Sequence, residues 1–401
     1  MAMKRHLLTV VKIALVVGLI YYVFHSIHFE DRLVYRVAGK QVAEEVVQIV
    51  GPWQADPVAC KMEGQAAARD VLRGTQADGR DLDVQPGFLT YWRNLDPALF
   101  ALGAFCYFIT ALIAGARWWW LLRCNGTDVS LGETLRFTWI GVFFNTVVPG
   151  NTGGDVIKAI YIMKRCPGHR VQVLVSVIVD RVLGLASLAL LGAVVVLFAL
   201  DRFQEIAIAI WGVIGGVGLL GLIAFSRRLR QLVHLTWLLE RLPHKISHLL
   251  KLVDQAVFFY RDHKMVIAAS VLVGVLNHII SVLSVLCIGY SLGVGMPPFE
   301  YFVLIPVINI VSALPVSPNG WGWGEALYKS LFGTYGAPYL QGAVSAEVAK
   351  ATMGTRGVAL SVLYRLHLTF WSLLGGLFVL FEKDRVTKAD IDREVEIEEH
   401  E

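Results

Sequence analysis

VQVLVSVIVDRVLGLASLALLGAVVVLFAL, residues 171–200, decides the fold class. The run exceeds the roughly 18 apolar residues that carry a helix across a bilayer core. It nevertheless holds Asp180 and Arg181, about 14 Å of helical rise in from its start. That depth is near the midplane, where each unpaired charge costs roughly 3 kcal/mol. Neighbouring helical residues point about 100° apart, so this pair cannot neutralise itself well. Ser176, Asp180, Gly184 and Ser187 fall on one stripe, suited to helix packing or to a cavity wall. A buried structural ion pair is the alternative to a functional site.

The rest of the chain fits the same class. Hydrophobic residues make up 56% of 401 positions and charged residues 17%, whereas soluble domains carry about a quarter charged residues. A net charge of +4 gives no nucleic-acid footprint. Cys60, Cys106, Cys124, Cys166 and Cys287 are scattered without a CxxC pair, so they read as structural thiols. No metal or cofactor motif occurs; His244 and His248 are four apart but lie in a basic amphipathic stretch.

The chain divides into a basic, apolar signal anchor (1–24), a polar exoplasmic cap segment (25–97), a membrane domain (98–381) and an acidic cytoplasmic tail (382–401). Within the cap, residues 30–50 are predicted as an amphipathic helix ended by Gly51-Pro52, with a turn at 79–83. Basic clusters at Arg123, Lys164 to Arg170, Arg227 to Arg230 and Lys383 to Lys388 belong on the cytoplasmic side. Arg123 and Lys164 share that side only if 131–163 dips into the membrane and returns. The stretch 301–332 must then dip in from the opposite face. The expected fold is an all-α polytopic helical bundle with two opposed re-entrant hairpins, inverted-repeat-like, and a small exoplasmic insert. Both termini are expected in the cytoplasm, in the cell inner membrane.

Three groups of residues carry the candidate chemistry, all as substrate-binding and none as catalytic. Asn145, Pro149, Asn151, Gly153, Gly154 and Asp155 break the first hairpin, and broken backbone at membrane depth needs protein or a water-filled cavity. A helix N-terminus there, with Lys158 one turn on, suits an anionic headgroup such as a phosphate. A structural turn capped by Asp155 is the other reading. Asp180 and Arg181 form the second group, with Arg365 expected to pair with Asp180, or else Lys158. The third is Asn319, Trp321, Trp323 and Glu325, with Arg365 mid-span in the last helix. Glu325 can cap a helix or pair with Arg181 or Arg365; the tryptophans can wall an acyl or isoprenoid chain or form an interfacial belt.

These motifs resemble a known family. TVVPGNTGGD at 146–155, VDRVLGL at 179–185, PNGWGWGE at 318–325 and LYR at 363–365 are similar to the flippase-like family built around the transmembrane region of lysylphosphatidylglycerol synthase, the multiple peptide resistance factor. The resemblance covers about 98–381. It implies lipid translocation or the handling of lipid-linked sugars, with a phospholipid, aminoacyl-lipid, hopanoid or polyprenyl-linked sugar as substrate and lipid-pathway enzymes as partners. Two departures stand out: this sequence has no aminoacyltransferase domain, and the resemblance does not account for the 25–97 insert. A membrane-embedded glycosyltransferase or lipid-modifying accessory, using Asp155, Asp180 or Glu325 as acid or base, is the alternative. A scaffold for a lipid-pathway complex is a third.

Overall fold

The computed structural model describes residues 29–37, 40–55, 57–62, 64–65, 67–147, 153–225, 259–260, 262–312, 323–340 and 346–382. The segment expected as a signal anchor, the basic stretch with His244 and His248, the acidic tail and the tips of the two expected hairpins (148–152 and 313–322) lie outside them. Ten helices and six strands follow in order among the described residues, besides short 3-10 turns. The helices are α1 (Phe88–Asn94), α2 (Pro97–Cys124), α3 (Leu131–Val147), α4 (Gly153–Arg165) and α5 (Arg170–Val196). Then come α6 (Leu200–Phe225), α7 (Lys264–Ser291), α8 (Pro298–Ser312), α9 (Trp323–Gly336) and α10 (Ala346–Phe381). Four stretches are long and apolar enough to cross a membrane: Pro97–Cys124, Pro167–Gly216, Lys264–Ser291 and Ala346–Phe381. The chain is a mostly helical polytopic membrane protein.

The all-α expectation needs one correction. Residues 30–50 are not helical; they form β1 (Asp31–Val37) and β2 (Lys40–Ile49) of a six-stranded antiparallel sheet. With β3 (Val58–Met62), β4 (Arg69–Val71), β5 (Gly74–Thr75) and β6 (Asp81–Gln85), the strand order is β4-β3-β2-β1-β6-β5. Val34, Tyr35, Val37, Val42, Val46, Val47 and Ile49 favour strands, and pairing of β1 with the distant β6 overrides a helical period. Leu33, Val34, Val58, Cys60, Leu82 and Val84 of the sheet are buried, with Leu33 and Val34 on opposite faces. Burial pushes the thiol of Cys60 up to about 11, which suits an inert structural cysteine. The turn expected at 79–83 lies instead at 76–80, with Gly79 at φ +81, because residues 81–83 belong to β6.

Asp31 ties the sheet to the chain that follows. Its buried carboxylate accepts from the N–H of Ile49 at 2.8 Å, the N–H of Gly87 at 2.6 Å and the hydroxyl of Thr90 at 2.9 Å. Asp96 then starts α2 by accepting from the N–H groups of Ala98 and Leu99, with Pro97 at the first helical position. Ser130 and Glu133 start α3 with a reciprocal capping box.

The chain divides into two compact units. The first comprises Met1–Phe105, Leu283–Leu304 and Pro315–Leu368; the second comprises Cys106–Val282, Ile305–Leu314 and Thr369–Glu401. In the first, the sheet packs on helices distant in sequence. Asp83 accepts from Thr352 at 2.9 Å, Arg356 lies 5.0 Å over the Trp53 ring, and Gln54 donates to Leu292 O. Tyr301 meets Phe332 edge-on at 5.7 Å, which sets α8 against α9.

In the second unit, α3 and α4 form an antiparallel pair. Phe137 stacks on Tyr161 at 5.0 Å, and Gly154 meets the backbone carbonyl of Gly141 and the side chain of Asn145. The 13 residues of α4 rise about 20 Å, short of a bilayer core of about 30 Å. Gly154 permits this contact, because a Cβ there would overlap the Gly141 carbonyl. Gly154→Ala is expected to destabilise the protein by about 1–3 kcal/mol, the usual penalty of overpacking. Thermal unfolding in detergent checks this, with Gly132→Ala, where nothing lies nearby, as the neutral control.

Candidate functional site

Three charged residues of the second unit, Asp155, Lys158 and Arg181, meet at the start of α4. Asp155 lies in the first turn of that helix, where a carboxylate meets the positive end of the helix dipole. Asn145, near the end of α3, accepts from the N–H of Gly154 at 2.8 Å and so satisfies one of the free amides. Lys158, one turn on, pairs with Asp155 at 3.0 Å. The Lys158 ammonium also lies 4.4 Å over the ring of the buried Trp118. Arg181 reaches Asp155 from α5 and binds its other carboxylate oxygen.

Asp180 faces a different helix. Its carboxylate accepts from Arg117 of α2 at 2.9 Å, and its backbone carbonyl accepts from the same guanidinium at 3.2 Å. The expected partners, Arg365 and Lys158, are therefore replaced by one that the sequence reading passed over. The 100° between adjacent positions sends Asp180 to α2 and Arg181 to α4. Arg117 sits six residues inside the end of a long apolar run, and a lone arginine at that depth was the available signal.

The small polar stripe of α5 is a packing face. Ser176 accepts from Trp118 Nε1 at 3.1 Å, and the Gly184 carbonyl lies 3.0 Å from His278 Nε2. Ser187 bonds to Leu183 O and to Val271 O on α7. Gly274 faces Ser187 so closely that a side chain there would collide. Thus α2, α4 and α7 all dock on α5 through its non-apolar positions.

Burial distinguishes the members of the cluster. Asp155, Lys158, Asp180 and Arg117 are all under 10% exposed, whereas the Arg181 side chain is 44% exposed. Arg181 is thus the most exposed of these charges while its guanidinium stays anchored on the buried Asp155.

The third group lies in the first unit. Glu325, in the first turn of α9, pairs with Arg365 of α10 at 2.7 Å, and Ser361 lies 3.5 Å from the same oxygen. Of the two partners open to Glu325, the structure selects Arg365. Gly324 admits the guanidinium, which would strike any Cβ at that position. Trp323 opens α9 and is exposed. Gly153 and Gly154 open α4, whereas Pro149, Asn151, Asn319 and Trp321 lie outside the described residues. Among the described residues, no three His, Cys, Asp or Glu side chains converge to hold a metal.

Helices of membrane length, a charged α4 start and the Asp180–Arg181 step sit within one region of sequence. Residues 85–374 match the family described as the lysylphosphatidylglycerol synthase TM region. The chain belongs to that family. A UPF0104 membrane protein of Pyrococcus horikoshii is 28% identical over 303 residues, which cover 70% of this chain and 85% of the relative. No solved structure matches the chain significantly. The family region begins at residue 85, where β6 ends, so the sheet precedes it.

Removing one half of the Arg117–Asp180 pair leaves a buried charge alone. Asp180→Asn is expected to destabilise the protein by about 3–5 kcal/mol, and adding Arg117→Met is expected to restore most of that loss. Unfolding in detergent of both single variants and the double variant measures the coupling. Additive losses would show that the pair is not what holds α2 to α5.

Proposed function

We propose that this protein moves a lipid with a phosphate-bearing or otherwise anionic headgroup between the leaflets of the cell inner membrane. The observation that carries this reading is Arg181, a 44% exposed guanidinium fixed by the buried Asp155, beside Lys158 and the start of α4. A guanidinium, an ammonium and free helical amides are the groups that bind phosphate. They are set among apolar helices, where a polar head leaving water needs substitute partners. Glu325, Ser361 and Arg365 offer a second polar patch at the start of α9, with Trp323 as an apolar neighbour. Family membership is consistent with lipid handling, and lipid-pathway enzymes are the natural partners.

Arg181 can be removed without stranding Asp155, which keeps Lys158. Arg181→Gln is expected to leave unfolding in detergent unchanged and to lower lipid scrambling at least tenfold, since a charged hydrogen bond contributes about 1.5–3 kcal/mol. The assay is quencher accessibility of fluorescent phosphatidylglycerol in liposomes holding purified protein. Wild-type protein that scrambles no lipid, or a variant that scrambles at full rate, would overturn the proposal.

The same reading places α3–α4 and α8–α9 as re-entrant hairpins from opposite faces, with both termini cytoplasmic. Single cysteines at Lys164 and at Pro338, in a background without native cysteines, are expected to react from the cytoplasm and from the exterior respectively. Labelling of both from one side contradicts the arrangement.

A further inference from the structure

The first unit contains a cleft that the charged clusters do not use. It lies between the sheet and α10 and has a volume of about 90 Å³. At 10–15 Å³ per water, this is room for roughly six waters, or for a compact polar headgroup. Glu30, Arg32 and Gln85 line its sheet side, and Val358, Ala359 and Val362 of α10 line the other. The cleft is therefore charged on one wall and aliphatic on the opposite wall.

Two residues that line this cleft each carry a buried polar atom without a hydrogen-bond partner among the described residues. One is Nε of Arg32, whose Nη1 is engaged by Glu44 at 3.2 Å. The other is the hydroxyl of Tyr91, a residue that is 5% exposed and also lines the cleft. A buried donor without a partner costs about 1–3 kcal/mol, so such groups mark places where an acceptor belongs. Glu30, in the bend just before β1, and Arg32 both line the cleft. The cleft thus presents a carboxylate and a guanidinium together, which complements a head bearing both an ammonium and a phosphate.

The surroundings place this cleft at lipid level. Phe29, Phe88, Trp92 and Phe100 form a ladder with ring centroids 6.2, 6.3 and 5.9 Å apart. Phe29, Leu89 and Trp92 are 42%, 50% and 51% exposed, and the ladder runs into the first turn of the α2 span. An exposed aromatic row where a span begins is what anchors a protein at the headgroup layer. Phe88 belongs both to this row and to the cleft lining. Asp31 fixes the corner by holding Gly87 and Thr90.

We propose that this cleft binds a zwitterionic aminophospholipid, with the phosphate on Arg32, the primary ammonium on Glu30 and the glycerol and upper chain along Val358, Ala359 and Val362. This occupant needs the protein only to lie in a membrane, and it does not depend on translocation. The sheet then acts as a headgroup-reading module added before the family's membrane region.

The test uses the full-length protein in a mild detergent, with bound lipid counted by native mass spectrometry after titration with phosphatidylethanolamine or phosphatidylglycerol. Wild-type protein is expected to hold phosphatidylethanolamine in preference. Arg32→Gln should bind it about tenfold more weakly. The Arg32–Glu44 pair is partly exposed, so its loss leaves the sheet intact. Ala359→Leu fills the cleft without touching a charge and should give the same loss. Glu30→Gln should weaken phosphatidylethanolamine but not phosphatidylglycerol, which erases the preference. Wild-type retention by both Arg32→Gln and Ala359→Leu, or a wild-type preference for phosphatidylglycerol, overturns the proposal.

Discussion

Charge held among apolar helices has to be matched by charge, and that constraint organises this protein. An unpartnered carboxylate or guanidinium at membrane depth costs several kcal/mol, which is a large share of any fold's net stability. Asp155, Lys158, Arg181, Asp180 and Arg117 meet the constraint within one unit, and Glu325 with Arg365 meets it in the other. Because Asp180 and Arg181 are adjacent, their partners must come from two different directions. Placing α2 on one side of α5 and α4 on another satisfies both, so two charges in sequence fix the packing of three helices.

Small residues make those pairings geometrically possible. Gly154 lets α4 approach the carbonyl of Gly141, and Gly274 lets α7 approach Ser187. Gly324 leaves the volume that the Arg365 guanidinium fills. Within a bilayer, apolar surface gives little preference for a neighbouring helix over lipid, so close backbone approach and interhelical hydrogen bonds take over. The glycines and serines of these helices are therefore part of the charge-pairing system. The same arrangement leaves Arg181 anchored and half-exposed, the combination that a transient anionic ligand requires.

The sheet adds a different kind of surface. It precedes the region shared with the family, yet Asp83, Trp53 and Gln54 bind helices far along the chain. Glu30, just before β1, and Arg32 in it line a cleft with the aliphatic side of α10, and two residues of that lining carry buried polar atoms without a hydrogen-bond partner among the described residues. The sheet and α10 thus line one amphipathic cleft that neither could form alone.

Spans and their approximate ends were legible because a 30 Å hydrocarbon layer imposes a length and composition that no local detail can disguise. The stripe of Ser176, Asp180, Gly184 and Ser187 was equally legible, since helical period alone puts those residues on one face. Which cation answers Asp180 was not. Arg117, Lys158 and Arg365 are equivalent in sequence, and only the packing of α2 on α5 selects the first. The sheet at 31–85 was hidden for a related reason. Residues 30–50 carry an apolar pattern that either period can accommodate, and the choice was made by pairing with β6, some fifty residues away in sequence. The sequence by itself determined that the chain lives in a membrane and that its charges need partners. Tertiary structure decided who the partners are, because ion pairs and strand pairs are contacts between segments whose separation along the chain carries no information about their distance in space.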